Sequence, residues 1–166
     1  DDDVIIDIPK PVYPSIREGL YDVAALNQNG ERTKWQITIT RDNADTTLYY
    51  FSNIDPVLIE KGIPIENIKG KINTDGKIKL SNRQRVGEGY ELNNFSGADS
   101  IELITYPTQN LMEIQGYWGV VESATGNTIF RSTIINRICH NRLKQHIIRF
   151  SCTIKNSIKI GRASCR

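Results

Sequence analysis

Residues 68–80, Ile-Lys-Gly-Lys-Ile-Asn-Thr-Asp-Gly-Lys-Ile-Lys-Leu, constrain the fold more than any other stretch of the chain. Ile68, Gly70 and Ile72 alternate with Lys69, Lys71 and Asn73; after Thr74-Asp75-Gly76 the alternation resumes, with Ile78 and Leu80 against Lys77 and Lys79. A period of two sets one row of side chains on a core and the other in water. Asp-Gly supplies the positive φ angles of a tight primed turn, so the stretch predicts a β-hairpin.

The same grammar recurs along the chain. Residues 19–26 predict a first strand and Asn29-Gly30 a second hairpin corner, followed by a strand over 33–40 with Trp35, Ile37 and Ile39 on one face. Asp42, Asn43 and Asp45 make a polar turn through Asx chemistry; the run lacks the glycine and distal glutamate of an EF-hand loop. Residues 46–51 are a β-branched and aromatic strand. Asp55 as N-cap, Pro56 at the first helical position and Gly62 past the end predict a helix of one to two turns. Its Val57, Leu58 and Ile59, with Ile63 and Ile65, must pack on something, and the open end of a barrel is the natural place. Residues 81–88 read as a polar connection, and 90–95 and 101–106 as strands. Residues 111–122 read as the longest strand, with Met112, Ile114, Trp118 and Val120 on one face and Gly116 relieving crowding or marking a bulge. Residues 128–135 form the last strand. About nine short strands with hairpin turns and almost no helix predict an all-β, antiparallel meander closed into a barrel of about 8–9 strands with one short helix, the alternative being a β-sandwich. Closure removes the edges that such strands would otherwise expose.

The 166 residues suffice for one domain with one core. Residues 1–18 read as an acidic, proline-punctuated leader or tether, 19–136 as the barrel domain, and 137–166 as a basic tail. The net charge of +2 is misleading, because eight of the 21 Lys and Arg lie in the tail and none of the 19 Asp and Glu do, leaving the body at −6. Residues 160–166, Ile-Gly-Arg-Ala-Ser-Cys-Arg, resemble one reading frame of a short-read sequencing adapter, so no function is read from the tail and no nucleic-acid partner is expected. Cys139, Cys152 and Cys165 all fall there. Cys139, His140, His146 and Cys152 match no compact zinc spacing, so neither a metal nor a cofactor is expected.

The chemistry that remains is sparse. His140 and His146, the two histidines, lie in the tail, which argues against a nucleophilic triad. Among Glu88, Glu91, Glu102 and Glu113 a pair could converge for glycoside cleavage, although Glu113 alternates with the apolar face of its strand and so points to solvent. Gly87-Glu88-Gly89 lacks the helix that would make it a phosphate loop. Aromatic rings are the better lead. Trp35, Tyr49, Tyr50, Tyr90, Tyr117 and Trp118 are spread over adjacent strands as candidate ligand-binding residues. In each of the pairs Tyr49/Tyr50 and Tyr117/Trp118, one ring should fill the core while the other lies outside, where it can stack on a sugar or cover a partner.

Trp35-Gln-Ile-Thr-Ile39, Phe51-Ser-Asn-Ile-Asp-Pro56, the residues 70–80 hairpin, Gln84, Val86-Gly87 and Ser96-Gly97 together resemble the lipocalin-like β-barrel domains of exported Bacteroidetes lipoproteins. The resemblance covers residues 19–133. It implies export to the periplasm or outer-membrane surface, and a membrane link only through a lipid anchor ahead of residue 1. It implies no catalytic activity. Asp-Thr-Thr at Asp45 and Asp-Ser-Ile at Asp99 resemble the O-glycan acceptor pattern of those bacteria, with Thr46 and Ser100 as acceptors. The expected protein is a monomeric, non-enzymatic module that binds a small hydrophobic or glycan ligand or serves as an accessory domain. A glycan-cleaving enzyme and an adhesin-type domain are the alternatives.

Overall fold

A computed structural model describes residues 8–132 and 136–141. Its first five strands, β1 (Gly19–Leu26), β2 (Arg32–Arg41), β3 (Leu48–Phe51), β4 (Ile68–Ile72) and β5 (Lys77–Ser81), form a consecutive antiparallel meander. The chain then leaves the wall as the hairpin β6 (Arg85–Gly87) and β7 (Tyr90–Asn94), and re-enters it as β8 (Ser100–Tyr106) and β9 (Leu111–Ile114). A second excursion, β10 (Trp118–Glu122) and β11 (Thr128–Arg131), precedes β12 (Asn136–His140), which pairs with both β9 and β1. The result is a closed eight-stranded barrel, in the order β1-β12-β9-β8-β5-β4-β3-β2. The two excursions pair through β7 and β10 into a separate sheet, β11-β10-β7-β6.

The closed barrel and the short helix over Pro56–Glu60 are as the sequence predicts; several details differ. The residues 111–122 strand is two strands, broken at Gly116, whose φ of 79° turns the chain out of the wall and into the second sheet. The polar connection over 81–88 contains β6. The boundary drawn at residue 136 also cuts through a strand, because residues 137–140 complete the barrel. Charge misassigned them: β12 reads Asn-Arg-Ile-Cys-His and carries one fully buried aliphatic residue, Ile138, so its place depends on its two neighbours rather than on its own pattern. Cys139 on this strand is disulfide-bonded. Residues 133–135 of the predicted last strand also lie outside them.

The hairpin corners are built differently from the primed turns expected. In both, only the glycine has a positive φ, 83° at Gly76 and 76° at Gly30. Gly76 N–H donates to the Asn73 carbonyl at 3.1 Å and Asn73 N–H to Lys77 at 2.8 Å; Gly30 and Asn27 repeat the arrangement. These are three-residue loops closed by a left-handed glycine, which need that conformation at one position rather than two. The Asp75 carboxylate accepts from Lys77 N–H and the Asn27 amide oxygen from Glu31 N–H, locking each loop from its side chain.

The inward positions fill the lumen. Tyr21, Val23, Ile37, Ile39, Tyr49, Phe51, Ile68, Ile72, Ile78, Leu80, Ile101, Leu103, Met112, Ile114 and Ile138 are buried in one continuous cluster. Gly70 shows how tightly: a methyl there would sit 2.5 Å from Leu80 and 2.7 Å from Ile78. One end of the barrel is closed by the segment before β1, where Ile16 is buried and donates its N–H to the Tyr49 hydroxyl at 3.1 Å. The crevice left there, between Ile16, Tyr21, Pro107 and Met112, has room for about 10 Å³, one water.

The other end is closed by helix α1 (Pro56–Glu60) and the second sheet, whose Leu58, Val86, Leu92, Trp118, Val120 and Phe130 join the same core. The Asp55 carboxylate caps α1, accepting from Val57 N–H at 2.7 Å and Leu58 N–H at 3.3 Å. Its other oxygen, Oδ2, is buried without a partner, and burial raises the group's pKa to about 6 against the pull of those two N–H donors.

Candidate functional site

The six aromatic candidates separate into core and surface. Tyr49 and Trp118 are fully buried, which withdraws them from any surface ligand. Their neighbours Tyr50 and Tyr117 point outward, the division that alternation predicts. Trp35 is half-buried at the rim of the barrel. Its Nε1 donates to the Asn53 carbonyl at 3.0 Å and its ring meets Phe130 edge-on at 5.6 Å, so it closes the lid. Tyr90 is half-buried and packs against the core from β7.

Tyr50 is committed elsewhere. Its hydroxyl donates to Asp42 Oδ1 at 2.7 Å, which raises the phenol's pKa. Asp42 is held below the usual carboxylate range, chiefly by Asp45 N–H and secondarily by Tyr50. Asp45 is lowered in turn by the Thr47 hydroxyl and N–H. These bonds organise the β2–β3 turn. Thr46 stands exposed on that turn, where a modifying enzyme can reach it, whereas Ser100 is half-buried at the start of β8.

Of the four glutamates, Glu88 is exposed in the β6–β7 turn and Glu91 pairs with Arg83 at 3.5 Å on the second sheet. Glu102 and Glu113 occupy neighbouring strands of the outer barrel wall, where Glu102 lies 3.8 Å from Lys77 and 3.9 Å from Lys79. Among the described residues no group of His, Cys, Asp and Glu is spaced to hold a metal ion.

A cluster of rings and charge lies at the corner where the chain passes from barrel to second sheet. Phe95 N–H donates to the Tyr117 carbonyl at 2.8 Å, extending the β7–β10 ladder and setting the two rings on the same outer face. Two residues along, Gly119 pairs with Arg131 of β11. Because Gly119 has no side chain, the arginine lies across it toward the rings, its guanidinium carbon 5.1 Å from the Phe95 centroid and 5.3 Å from the Tyr117 centroid. Such contacts are worth about 0.5–1 kcal/mol each when exposed. Gly119 is required for a second reason: a Cβ there would fall 1.9 Å from the Phe130 carbonyl oxygen.

Tyr117 is 45% exposed and Phe95 half-buried, so the corner offers a flat apolar surface with a cation along it. The sequence reading named Tyr117 but neither Phe95 nor Arg131. These three residues lie on three separate segments, and only the β7–β10–β11 pairing brings them together. The predicted strand ending at Phe95 and the outward parity of Tyr117 are the signals in the sequence; Arg131 carries none. Compared with known proteins, the chain matches no family model, no curated protein and no solved structure.

Proposed function

We propose that this chain is a non-catalytic β-barrel module of an exported, cell-surface protein, of the lipocalin-like kind its sequence resembles, and that it binds a glycan on its outer surface. The observation that carries the reading is the Phe95–Tyr117–Arg131 corner, where a partly exposed ring lies beside a guanidinium; an exposed aromatic face is what sugar rings stack on. The filled lumen turns the reading away from a small hydrophobic ligand held inside, since the wall at Gly70 has no room for a methyl group. The negative charge of the body disfavours nucleic acid as the partner. A glycosidase reading is not favoured, because Glu102 and Glu113 stand on the convex wall and Glu102 is matched by two lysines. Titration calorimetry against a panel of oligosaccharides tests the proposal. Binding that is weakened by Tyr117→Ala supports it, and binding indifferent to that substitution points to another surface.

A further inference from the structure

We infer that the Phe95–Tyr117–Arg131 corner selects a carboxylate-bearing sugar, a uronic-acid residue of a glycan. This rests on the glycan reading of that corner and adds the class of sugar it takes. A guanidinium carries five N–H donors. Those of Arg131 meet no hydrogen-bond acceptor and no carboxylate among the described residues. Arg85, by contrast, pairs with Glu66 at 3.0 Å, Arg83 with Glu91, and Arg41 Nε donates to the Thr46 carbonyl at 2.7 Å. The Nε of Arg131 is moreover shut off from solvent without a partner. The two terminal nitrogens, equally without a partner among the described residues, are not shut off in this way, so they are the donors that an acceptor arriving from outside can reach.

The rest of the corner defines that acceptor. Phe95 and Tyr117 hold the guanidinium on one side of the sheet, so part of the ordering cost of binding is already met. Its planar fork matches the two oxygens of a carboxylate. The exposed Tyr117 ring gives the C–H face of a pyranose a flat surface. The Ser96 hydroxyl lies against Gly116, next to Tyr117 in the chain, and bonds to no described residue, so it can serve a ring hydroxyl. A single cation over the rings suits one negative charge better than the doubly charged head of a phosphate ester.

The test is titration calorimetry of the full chain with oligogalacturonide, alginate and hyaluronan fragments, each beside its methyl ester, and with dextran sulfate. At least one acid is expected to bind roughly tenfold or more tightly than its ester, the loss of a charge-assisted bidentate contact. Arg131→Gln is expected to abolish that preference, and Arg131→Lys to restore only part of it. Tyr117→Ala is expected to weaken acid and ester alike. Equal binding of acid and ester, an unchanged preference in Arg131→Gln, or tighter binding of dextran sulfate would overturn the carboxylate assignment and leave the glycan reading standing. Failure of every glycan to bind would overturn both. If Arg131→Gln does not fold, the acid–ester comparison on the unaltered chain decides alone.

Discussion

The barrel and the four-stranded sheet beside it are written in the same alternating pattern, yet every barrel strand has two hydrogen-bonded neighbours while the sheet ends in β6 of three residues and β11 of four, whose outer edges pair with no further strand among the described residues and are met instead by Glu66 N–H at the Val86 carbonyl and by the Gln28 side chain at Arg131 N–H. Edges this short are a common way of discouraging a second chain from pairing. Closure consumes the inner face of the barrel as core and leaves on its outer wall a lattice of Lys71–Asp45, Lys77–Glu102 and Lys79–Glu102 pairs. Such exposed pairs contribute at most about 1 kcal/mol each. The sheet uses its inner face as a lid, through Leu92, Trp118, Val120 and Phe130, and its outer corner carries the rings and the unmatched arginine. The part of the fold that is fully closed is spent on stability; the part appended to it has a face to spare.

Substitutions that act on one region and not the other put this contrast to the test. The largest effect is expected from Gly119→Ala. Its methyl would collide with a backbone oxygen of β11, which cannot move without breaking the β10–β11 pairing, so a loss of about 4 kcal/mol or more is expected in denaturant unfolding. If the sheet is separable from the barrel, amide exchange in this variant will show β10 and β11 unprotected while β1–β5 stay protected; uniform loss would make the two regions one cooperative unit.

Next in size is the pH dependence lodged at the lid. Asp55 binds its proton more tightly folded than unfolded, with a pKa of about 6 against an ordinary 3.8. Its contribution is therefore fully present below about pH 4 and is lost as the pH rises through 6, a difference of about 3 kcal/mol. Asp42 and Asp45, lowered on folding, act in the opposite direction: their stabilisation is present above the ordinary carboxylate range and lost as the pH falls through it. Asp55→Asn should remove the fall between pH 4 and 6 in the thermal midpoint. A fall of the same size in that variant would assign it to another group.

In the barrel wall, Gly76→Val should cost about 2 kcal/mol, since a β-branched residue must take φ 83° and its Cβ would press on the Thr105 hydroxyl at 3.3 Å. An unchanged thermal midpoint would count against the described loop. The smallest stability effect belongs to the outer corner: Tyr117→Ala should shift unfolding by less than about 1 kcal/mol, the ring being 45% exposed, while removing most of the glycan binding. A large destabilisation instead would make the ring a structural support.

How much of this was legible in the chain differs from element to element. The residues 68–80 hairpin, the β1–β2 pair and the capped helix could be read directly, because their signals are local: alternation, a glycine at the loop, an Asp-Pro start. The split at Gly116 was visible only as an ambiguity, since a glycine in a strand marks a bulge, a bend or a close approach without saying which. β12 was not legible at all. One buried isoleucine in five residues makes a strand only when β1 and β9 stand on either side with unpaired backbone groups.

What the sequence determined by itself is which side chains face inward and where the chain must turn, because side-chain alternation and left-handed glycines are properties of a few adjacent residues. What only the tertiary structure decided is which strands become neighbours: that β5 pairs with β8, that two excursions meet as a second sheet, and that Phe95, Tyr117 and Arg131 share one corner. Those pairings join segments far apart in the chain, and a backbone hydrogen bond carries no mark of the residue it will pair with. Closure of the whole wall, which leaves no edge unsatisfied, selects among them.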